Sequence, residues 1–139
     1  MADLQDFCDV PCIALQNEQA LIEAQPSWSA SMMEKPVRAP RNLSWLAGQD
    51  PAVSLGGQTV RVITTPGHTP GGVCFDFGDF VITGDTLFDQ GVGRTDLPGG
   101  DGATLKSSID RLLGLLDRGL LDLLHELLEQ LLKLGRRAL

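Results

Sequence analysis

The sequence predicts an α/β fold in which a mostly antiparallel sheet is packed by helices and followed by a Leu-rich helix near the C-terminus. Two observations predict the sheet. Short β-rich runs end in glycine turns, and the dipeptide Gly78-Asp79 joins two of these runs as a tight hairpin. Apolar residues at helical spacing before and after these runs predict the packing helices. A chain of 139 residues is long enough to bury one core of useful size.

The N-terminal part of the chain predicts two helices with a strand between them. Residues 2–7 are typical of a helix, and residues 10–15 form a short apolar strand. Asn17 is the expected N-cap of a helix over residues 18–24, which Pro26 is expected to end.

An irregular segment is expected over residues 26–40, which contain three prolines. Its large apolar side chains are Trp28, Met32 and Met33. A loop of this length is usually either functional or poorly ordered. The favoured interpretation is that these three side chains cover the core.

Three further strands are predicted in the middle of the chain, at residues 58–65, 72–77 and 80–83. The first alternates so that Val60 and Val62 share one face, and Gly56-Gly57 before it indicates a turn. Cys74, within the second strand, is expected to be a small buried apolar residue.

Two side chains with metal-binding chemistry stand at the ends of the predicted hairpin. His68 precedes its first strand and Asp85 follows its second. Since antiparallel partners return to the same edge of a sheet, the two side chains are expected to meet there. Imidazole nitrogen and carboxylate oxygen are both good donors to zinc or iron. The alternatives are a loop histidine bonded to the backbone and an aspartate that caps a turn.

The glycine-rich segment 91–101 is predicted to be a structural loop. It lacks the Gly-Lys-Ser/Thr ending of a nucleotide-binding loop, and Arg94 and Asp96 are expected to lock it through a charge-assisted bond. Asp101 or Thr104 is the expected start of the next helix. Its apolar face is predicted to consist of Leu105, Ile109, Leu112, Leu113 and Leu116.

From Gly119 onward, leucines recur at intervals of three and four with charged residues between them. Such a helix buries its leucines on this chain's own sheet or against a second copy, so a homo-oligomer is one expectation. His125, at the edge of the stripe, is expected to be a partly exposed helical histidine rather than a metal ligand. The near-exclusive use of leucine also resembles idealised, engineered patterning.

Composition and charge exclude several classes of partner. A formal net charge of −7 disfavours binding to nucleic acid and to anionic membrane surfaces, because both would be repelled. The sequence has no signal-peptide pattern and no run of about 18 apolar residues, so a cytoplasmic protein is expected. Three cysteines without paired spacing predict free thiols.

Three motifs occur in order: TPGHTPG at residues 65–71, TGDTLF at 83–88 and GVGRTDLPGGD at 91–101. Together they resemble the second half of metallo-β-lactamase-fold hydrolases, and within that superfamily the glyoxalase II (hydroxyacylglutathione hydrolase) type. The resemblance implies a partial metallo-β-lactamase-like domain over residues 1–117, followed by a Leu-rich amphipathic helix over residues 118–139. It also implies a metal-dependent hydrolase of small-molecule thioesters, with zinc or iron bound by His68 and Asp85.

The chain departs from this family in its ligands. Members carry a His-x-His-x-Asp-His cluster in the first half of the domain, whereas this chain has only two histidines, His68 and His125. The late histidine that closes the family's site is also absent. In relatives the segment matching residues 26–40 packs beside the substrate entrance, so a lid is the alternative to covering the core.

Three functions from different classes follow. The first is a thioester hydrolase of the glyoxalase II type. The second keeps the fold but resembles the iron-dependent persulfide dioxygenases, which share the GRTD loop. The third is a non-catalytic remnant or engineered fragment that folds or dimerises. Because zinc normally has at least three protein ligands, the catalytic residues stay unassigned.

Overall fold

The computed structural model describes residues 2–31 and 33–135, with side chains described as far as Arg118. Its helices are α1 (Ala2–Phe7), α2 (Gln19–Ala30) and α3 (Gly102–Gly135), and a 3₁₀ turn over Gln16–Glu18 precedes α2. Its strands are β1 (Cys12–Leu15), β2 (Leu43–Leu46), β3 (Ala52–Leu55), β4 (Gln58–Thr64), β5 (Val73–Asp76), β6 (Val81–Ile82), β7 (Leu87–Phe88) and β8 (Gly91–Val92). Met32, the His125 side chain and the Leu-rich stripe lie outside the described residues and side chains.

The strands form an antiparallel meander in the order β3-β4-β5-β6, a parallel pair β1-β2 and a short hairpin β7-β8. The predicted turn at Gly78-Asp79 is confirmed. Gly78 has a φ of 91°, and the Phe77 amide donates a hydrogen bond to the Phe80 carbonyl at 3.0 Å. The predicted α/β class, with a mostly antiparallel sheet packed by helices, is therefore confirmed.

Strand β4 has buried side chains on both of its faces, because successive side chains of a strand point to opposite sides. On one face, Ile63 forms the core with Cys74 and with Leu112 of α3, and all three are fully buried. The opposite face carries Val60 and Val62, which are 1% exposed and share that face as predicted. These valines line an apolar groove of about 350 Å³ together with residues of β1, β2, β3 and β5. The prediction that Cys74 is a buried apolar residue is confirmed.

Helix α3 begins as predicted and continues further than predicted. Asp101 is its N-cap residue, and its carboxylate accepts a hydrogen bond from the Thr104 amide at 2.6 Å. The backbone stays helical from Gly102 to Gly135, so no break separates the two predicted helices. A single glycine inside a helix costs only about 1 kcal/mol, which explains why Gly119 does not end it. The division into residues 1–117 and 118–139 stays a prediction.

The buried face of α3 differs from the predicted one. Leu113 and Leu116 were expected on the core side, but they are 46% and 39% exposed, so this prediction is wrong. Leu115 packs against the core instead. The buried residues of the helix follow a different line, namely Leu105, Ser108 and Leu112. Apolarity alone predicted that the leucines would be buried. The observed buried face includes Ser108, whose hydroxyl donates a hydrogen bond to the Pro66 carbonyl on the sheet side.

Helix α2 differs from the prediction at both ends. Asn17 lies within the 3₁₀ turn, and Glu18 holds the N-cap position without a side-chain capping bond. Pro26 lies inside the helix rather than ending it. The buried Ser29 hydroxyl donates to the Pro26 carbonyl at 3.1 Å and accepts from the Val37 amide at 2.9 Å. One bond within the helix and one from Val37 outside it thus hold the last turn, although the proline lacks an N–H group.

The segment after Pro26 does not cover the core as expected. Trp28 is 38% exposed and Met33 is 53% exposed. All three cysteines are free thiols, as predicted. Across residues 2–31 and 33–135, no helix combines the length and apolar character needed to cross a membrane.

Candidate metal centre

His68 and Asp85 lie beside each other at one edge of the meander. His68 belongs to the loop between β4 and β5, and Asp85 belongs to the turn after β6. The Nε2 atom of His68 is 3.8 Å from Oδ2 of Asp85. The structure therefore brings together the two residues that the hairpin argument places at one edge. Their role as metal ligands stays a prediction.

The imidazole of His68 is held in one orientation by the glycine-rich loop. Its Nδ1 atom is 2.7 Å from the Arg94 carbonyl oxygen, which can only accept, so Nδ1 carries the proton. In the neutral ring, Nε2 is then an unprotonated acceptor that points toward the Asp85 carboxylate. A backbone carbonyl that fixes the tautomer in this way is the usual support of a metal-ligating histidine.

The pair fits one edge of a divalent metal site. Two ligand atoms about 2.1 Å from a tetrahedral zinc ion are about 3.4 Å apart, close to the observed 3.8 Å. The His68 side chain is 22% exposed and that of Asp85 is 69% exposed, so the pair opens to solvent on the carboxylate side.

The donor set is smaller than a complete site requires. Zinc sites in proteins normally have three or more protein ligands. Within the part of the chain that the structure describes, no group of three His, Cys, Asp or Glu side chains comes together. His68 and Asp85 together offer two candidate ligands.

A buried hydrogen bond joins the two loops that carry these ligands. The Oγ1 atoms of Thr65 and Thr86 are 2.8 Å apart, and the two residues are 0% and 2% exposed. Thr65 comes three residues before His68, and Thr86 directly follows Asp85. The bond therefore sets the spacing of the ligands. Sequence reasoning missed it, and the available signal was one threonine in each motif, three residues before His68 and directly after Asp85.

Gly93 allows the glycine-rich loop to pass directly over the pair. A Cβ atom there would collide with the Asp85 carbonyl oxygen and would lie 3.1 Å from the His68 Cβ. Only a residue without a side chain permits this approach. The close passage brings the Arg94 carbonyl onto His68.

The predicted lock between Arg94 and Asp96 is present. Arg94 Nε and Nη2 donate to the two carboxylate oxygens of Asp96, each at 2.7 Å. These bonds hold the pKa of Asp96 at about 2, well below its ordinary value. Both side chains are exposed, so the pair orients the loop more than it stabilises the fold.

Helix α3 braces the His68 loop from below. The Ser108 hydroxyl donates to the Pro66 carbonyl at 2.6 Å, and the Asp101 amide donates to the Gly67 carbonyl at 2.8 Å. Gly67 has a φ of 134°, and a Cβ atom there would lie 2.3 Å from the backbone of Leu105, so no side chain would fit. The loop is thus docked on the helix N-terminus.

A pocket of about 230 Å³ opens beside His68, between α2 and the glycine-rich loop. Its wall includes Trp28 from α2 and Leu97 and Pro98 from the loop. Trp28 therefore borders the site, which favours the lid alternative over covering of the core.

Comparison with known proteins gives the family. The model of the metallo-β-lactamase superfamily matches residues 6–128. The probable metallo-hydrolase YqgX of Bacillus subtilis is 36% identical over 110 residues, which cover 77% of this chain and 52% of that protein. An uncharacterised protein of Mycobacterium leprae, ML0493, is 46% identical over 85 residues, which cover 58% of this chain and 39% of that protein.

Solved structures agree. The B3 metallo-β-lactamase BLEG-1 has a TM-score of 0.67 at 30% identity, and the match covers 78% of this chain and 54% of that one. TTHA1623 in a di-iron-bound form has a TM-score of 0.66 at 33% identity, covering 82% and 56%. The chain spans between 39% and 52% of the length of the curated relatives named above. With the family model matched over most of its residues, the chain belongs to the metallo-β-lactamase superfamily.

Proposed function

We propose that this chain carries one side of the metal centre of a thioester hydrolase of the glyoxalase II type. The approach of His68 Nε2 to Asp85 Oδ2, at 3.8 Å, carries the proposal. Membership of the superfamily and similarity to a probable metallo-hydrolase support metal-dependent hydrolysis. The thioester specificity rests on the resemblance of the three motifs.

The two ligands have distinct parts in this proposal. The Nδ1–H group of His68 donates a hydrogen bond to the Arg94 carbonyl, so Nε2 is the ring nitrogen available to a metal. Asp85 provides a carboxylate on the side that is open to solvent. A divalent metal held there supplies a Lewis acid for the thioester carbonyl and lowers the pKa of a water molecule. Imidazole and carboxylate suit both zinc and iron, and the structural relative TTHA1623 is described with two irons.

Metal binding is the first test. Because two ligands fall short of the usual three, we expect zinc or iron(II) to bind weakly and to be removed by mild chelators. Metal content per chain should fall in Asp85→Ala and His68→Ala after equilibrium dialysis. Asp89→Ala is the matched control, since Asp89 is an exposed carboxylate in the neighbouring hairpin. Equal metal content in wild type and Asp85→Ala would contradict the assignment.

Hydrolysis of S-lactoylglutathione with added zinc or iron(II) is the second test. Turnover above that of the free metal, lost in His68→Ala, is the expected result for a thioester hydrolase. The shortage of ligands favours a second candidate, a non-catalytic remnant or engineered fragment. Absence of turnover beside a folded circular dichroism spectrum would support it. Oxygen consumption with a persulfide and iron(II) would instead support the persulfide dioxygenase alternative.

A further inference from the structure

The pocket beside His68 gives the proposed hydrolase a substrate preference. We propose that this pocket receives the acyl group of the substrate and selects acyl groups that are short, uncharged and largely aliphatic. The inference rests on the proposed function, because it takes the His68 edge as the place where the thioester carbonyl lies.

The wall of the pocket is chemically suited to an uncharged group. Leu21, Trp28 and Leu97 supply apolar surface, and Gln25 and Thr69 supply neutral polar groups. Among the described residues that line the pocket, His68 is the one able to carry a charge, and in the proposed function it is a neutral ligand. No lysine or arginine is among the described residues that line the pocket, so in the metal-free protein a carboxylate would lose its hydration without a cation to replace it. The net charge of −7 adds a general repulsion.

The pocket is held at a defined position relative to His68. The Gly71 amide donates to the Glu18 carboxylate at 2.5 Å, which docks the start of α2 on the His68 loop. The opposite wall begins directly after Asp96 in the sequence. The Asp96 carboxylate accepts a hydrogen bond from the Arg94 side chain, and the Arg94 carbonyl accepts one from His68. The Arg94 carbonyl contacts the imidazole directly, whereas the α2 wall is bonded to the backbone of the His68 loop. An acyl group seated between the two walls would lie next to the reacting carbonyl.

The volume limits the length of the acyl group. A space of about 230 Å³ corresponds to roughly eight volumes of liquid water, at about 30 Å³ each. A space of this size receives a short acyl group of a few carbon atoms. A peptide-sized thiol portion, such as glutathione with its two carboxylates, would have to lie outside.

The test uses three hydrolysis-resistant amides that share one handle, N-acetylethylenediamine, acylated with pentanoic, lactic or succinic acid. Binding to metal-free protein is followed by nuclear magnetic resonance of the two tryptophan indole N–H groups. We expect the pentanoyl amide to shift the Trp28 signal and to bind at least tenfold more tightly than the succinyl amide. Trp45, in β2 and outside the pocket, is the internal control.

Two variants show whether the binding occurs in this pocket. Ala24→Phe fills the space from α2 and should weaken pentanoyl binding at least tenfold. Ala30→Phe makes the same change at an exposed position on the same helix, outside the pocket, and should leave the binding unchanged. Circular dichroism verifies that both variants fold.

The proposal is overturned if the pentanoyl amide does not shift Trp28, if the succinyl amide binds equally well, or if Ala24→Phe binds like wild type. The titration contains no metal and no cleavable bond. Its failure is therefore distinct from failure of the metal and thioesterase tests, which concern the proposed function.

Discussion

The hydroxyl groups of Thr65 and Thr86 meet in the interior, directly behind the two candidate ligands, and each is the close hydroxyl partner of the other. A buried polar group that loses its partner retains the cost of its desolvation. The stability of the site therefore depends on side chains that do not themselves bind metal.

Thr65→Val is expected to lower the free energy of unfolding by about 1–3 kcal/mol, because it leaves the Thr86 hydroxyl buried without its partner. Urea denaturation measures the change. The double variant Thr65→Val/Thr86→Val should recover part of the loss, since both polar groups are then removed. A single variant as stable as wild type would show that the bond contributes nothing.

Asp50 links the end of β4 to α3. Its carboxylate accepts from the Thr64 amide at 2.8 Å and from Arg111, whose other terminal nitrogen donates to the Thr64 carbonyl at 2.9 Å. Burial acts to raise the pKa of Asp50, but the hydrogen bonds from Thr64 and Arg111 outweigh it and lower the pKa below 3.8. Asp50 has a positive φ of 51°, which asparagine also tolerates.

Asp50→Asn therefore tests the charge with little change of backbone preference. A lowered pKa means that the carboxylate stabilises the fold above the unfolded-state pKa and that this contribution is lost as pH falls through the folded-state value. We expect the variant to be about 1–2 kcal/mol less stable at pH 7 and the difference to shrink near pH 3. Urea denaturation at several pH values measures it. A difference independent of pH would exclude the ion pair as its cause.

At the residue scale, the sequence predicts local pairs better than distant ones. The Arg94–Asp96 lock and the Asp101 cap join residues two or three positions apart, so a motif reveals them. The bond between Asp50 and Arg111 joins residues 61 positions apart. Polar pairing of this kind has no periodicity, and only the folded arrangement reveals it.

At the scale of elements, α3 shows how packing overrides apolarity. Residue spacing predicts a helix, and the cap predicts its start. The buried face depends on how the helix crosses β4, which the spacing of leucines does not determine. Sequence reasoning also failed to predict the strands β2, β3, β7 and β8. Each has two to four residues, so alternation is hardly visible, whereas the equally short β5 and β6 are marked by the Gly78-Asp79 turn between them.

Gly114 lies inside α3 with open space around its Cα. Gly114→Ala should raise the free energy of unfolding by about 0.5–1 kcal/mol, because alanine has the higher helix propensity. Thermal denaturation followed by circular dichroism should show a higher Tm. Gly78→Ala is the matched control, since Gly78 also has open space but a φ of 91°, and it should lower the Tm. A lower Tm for Gly114→Ala would indicate that α3 is not helical there.

At the scale of the whole molecule, fold class follows from the sequence because strands, turns and helices all leave local signals. The completeness of the site does not, since ligands from different elements converge only in the fold. Superfamily membership and the two ligands at one edge agree with the motifs. The expectations of a cytoplasmic location and of no nucleic-acid or membrane partner stay predictions.

The leucine pattern after Gly119 predicts self-association, because its apolar stripe is wide for a helix facing solvent. Wild-type protein should sediment as a dimer or larger species. Leu127→Lys should shift it toward the monomer, whereas Gln130→Lys adds the same charge off the stripe and should not. Analytical ultracentrifugation at several concentrations measures this. A wild-type monomer would mean that the stripe packs within the chain.

The register of the strands also determines the order in which the molecule assembles. In the meander, Leu55 pairs with Gln58 across a short turn, whereas in the parallel pair Cys12 must find Leu43 across a long stretch of chain. Contacts between residues close in sequence require less loop closure and form earlier during folding. The meander, with both candidate ligands attached to its ends, is thus expected to form in the early part of folding. The edge that carries His68 and Asp85 would exist before the N-terminal pair docks beside it.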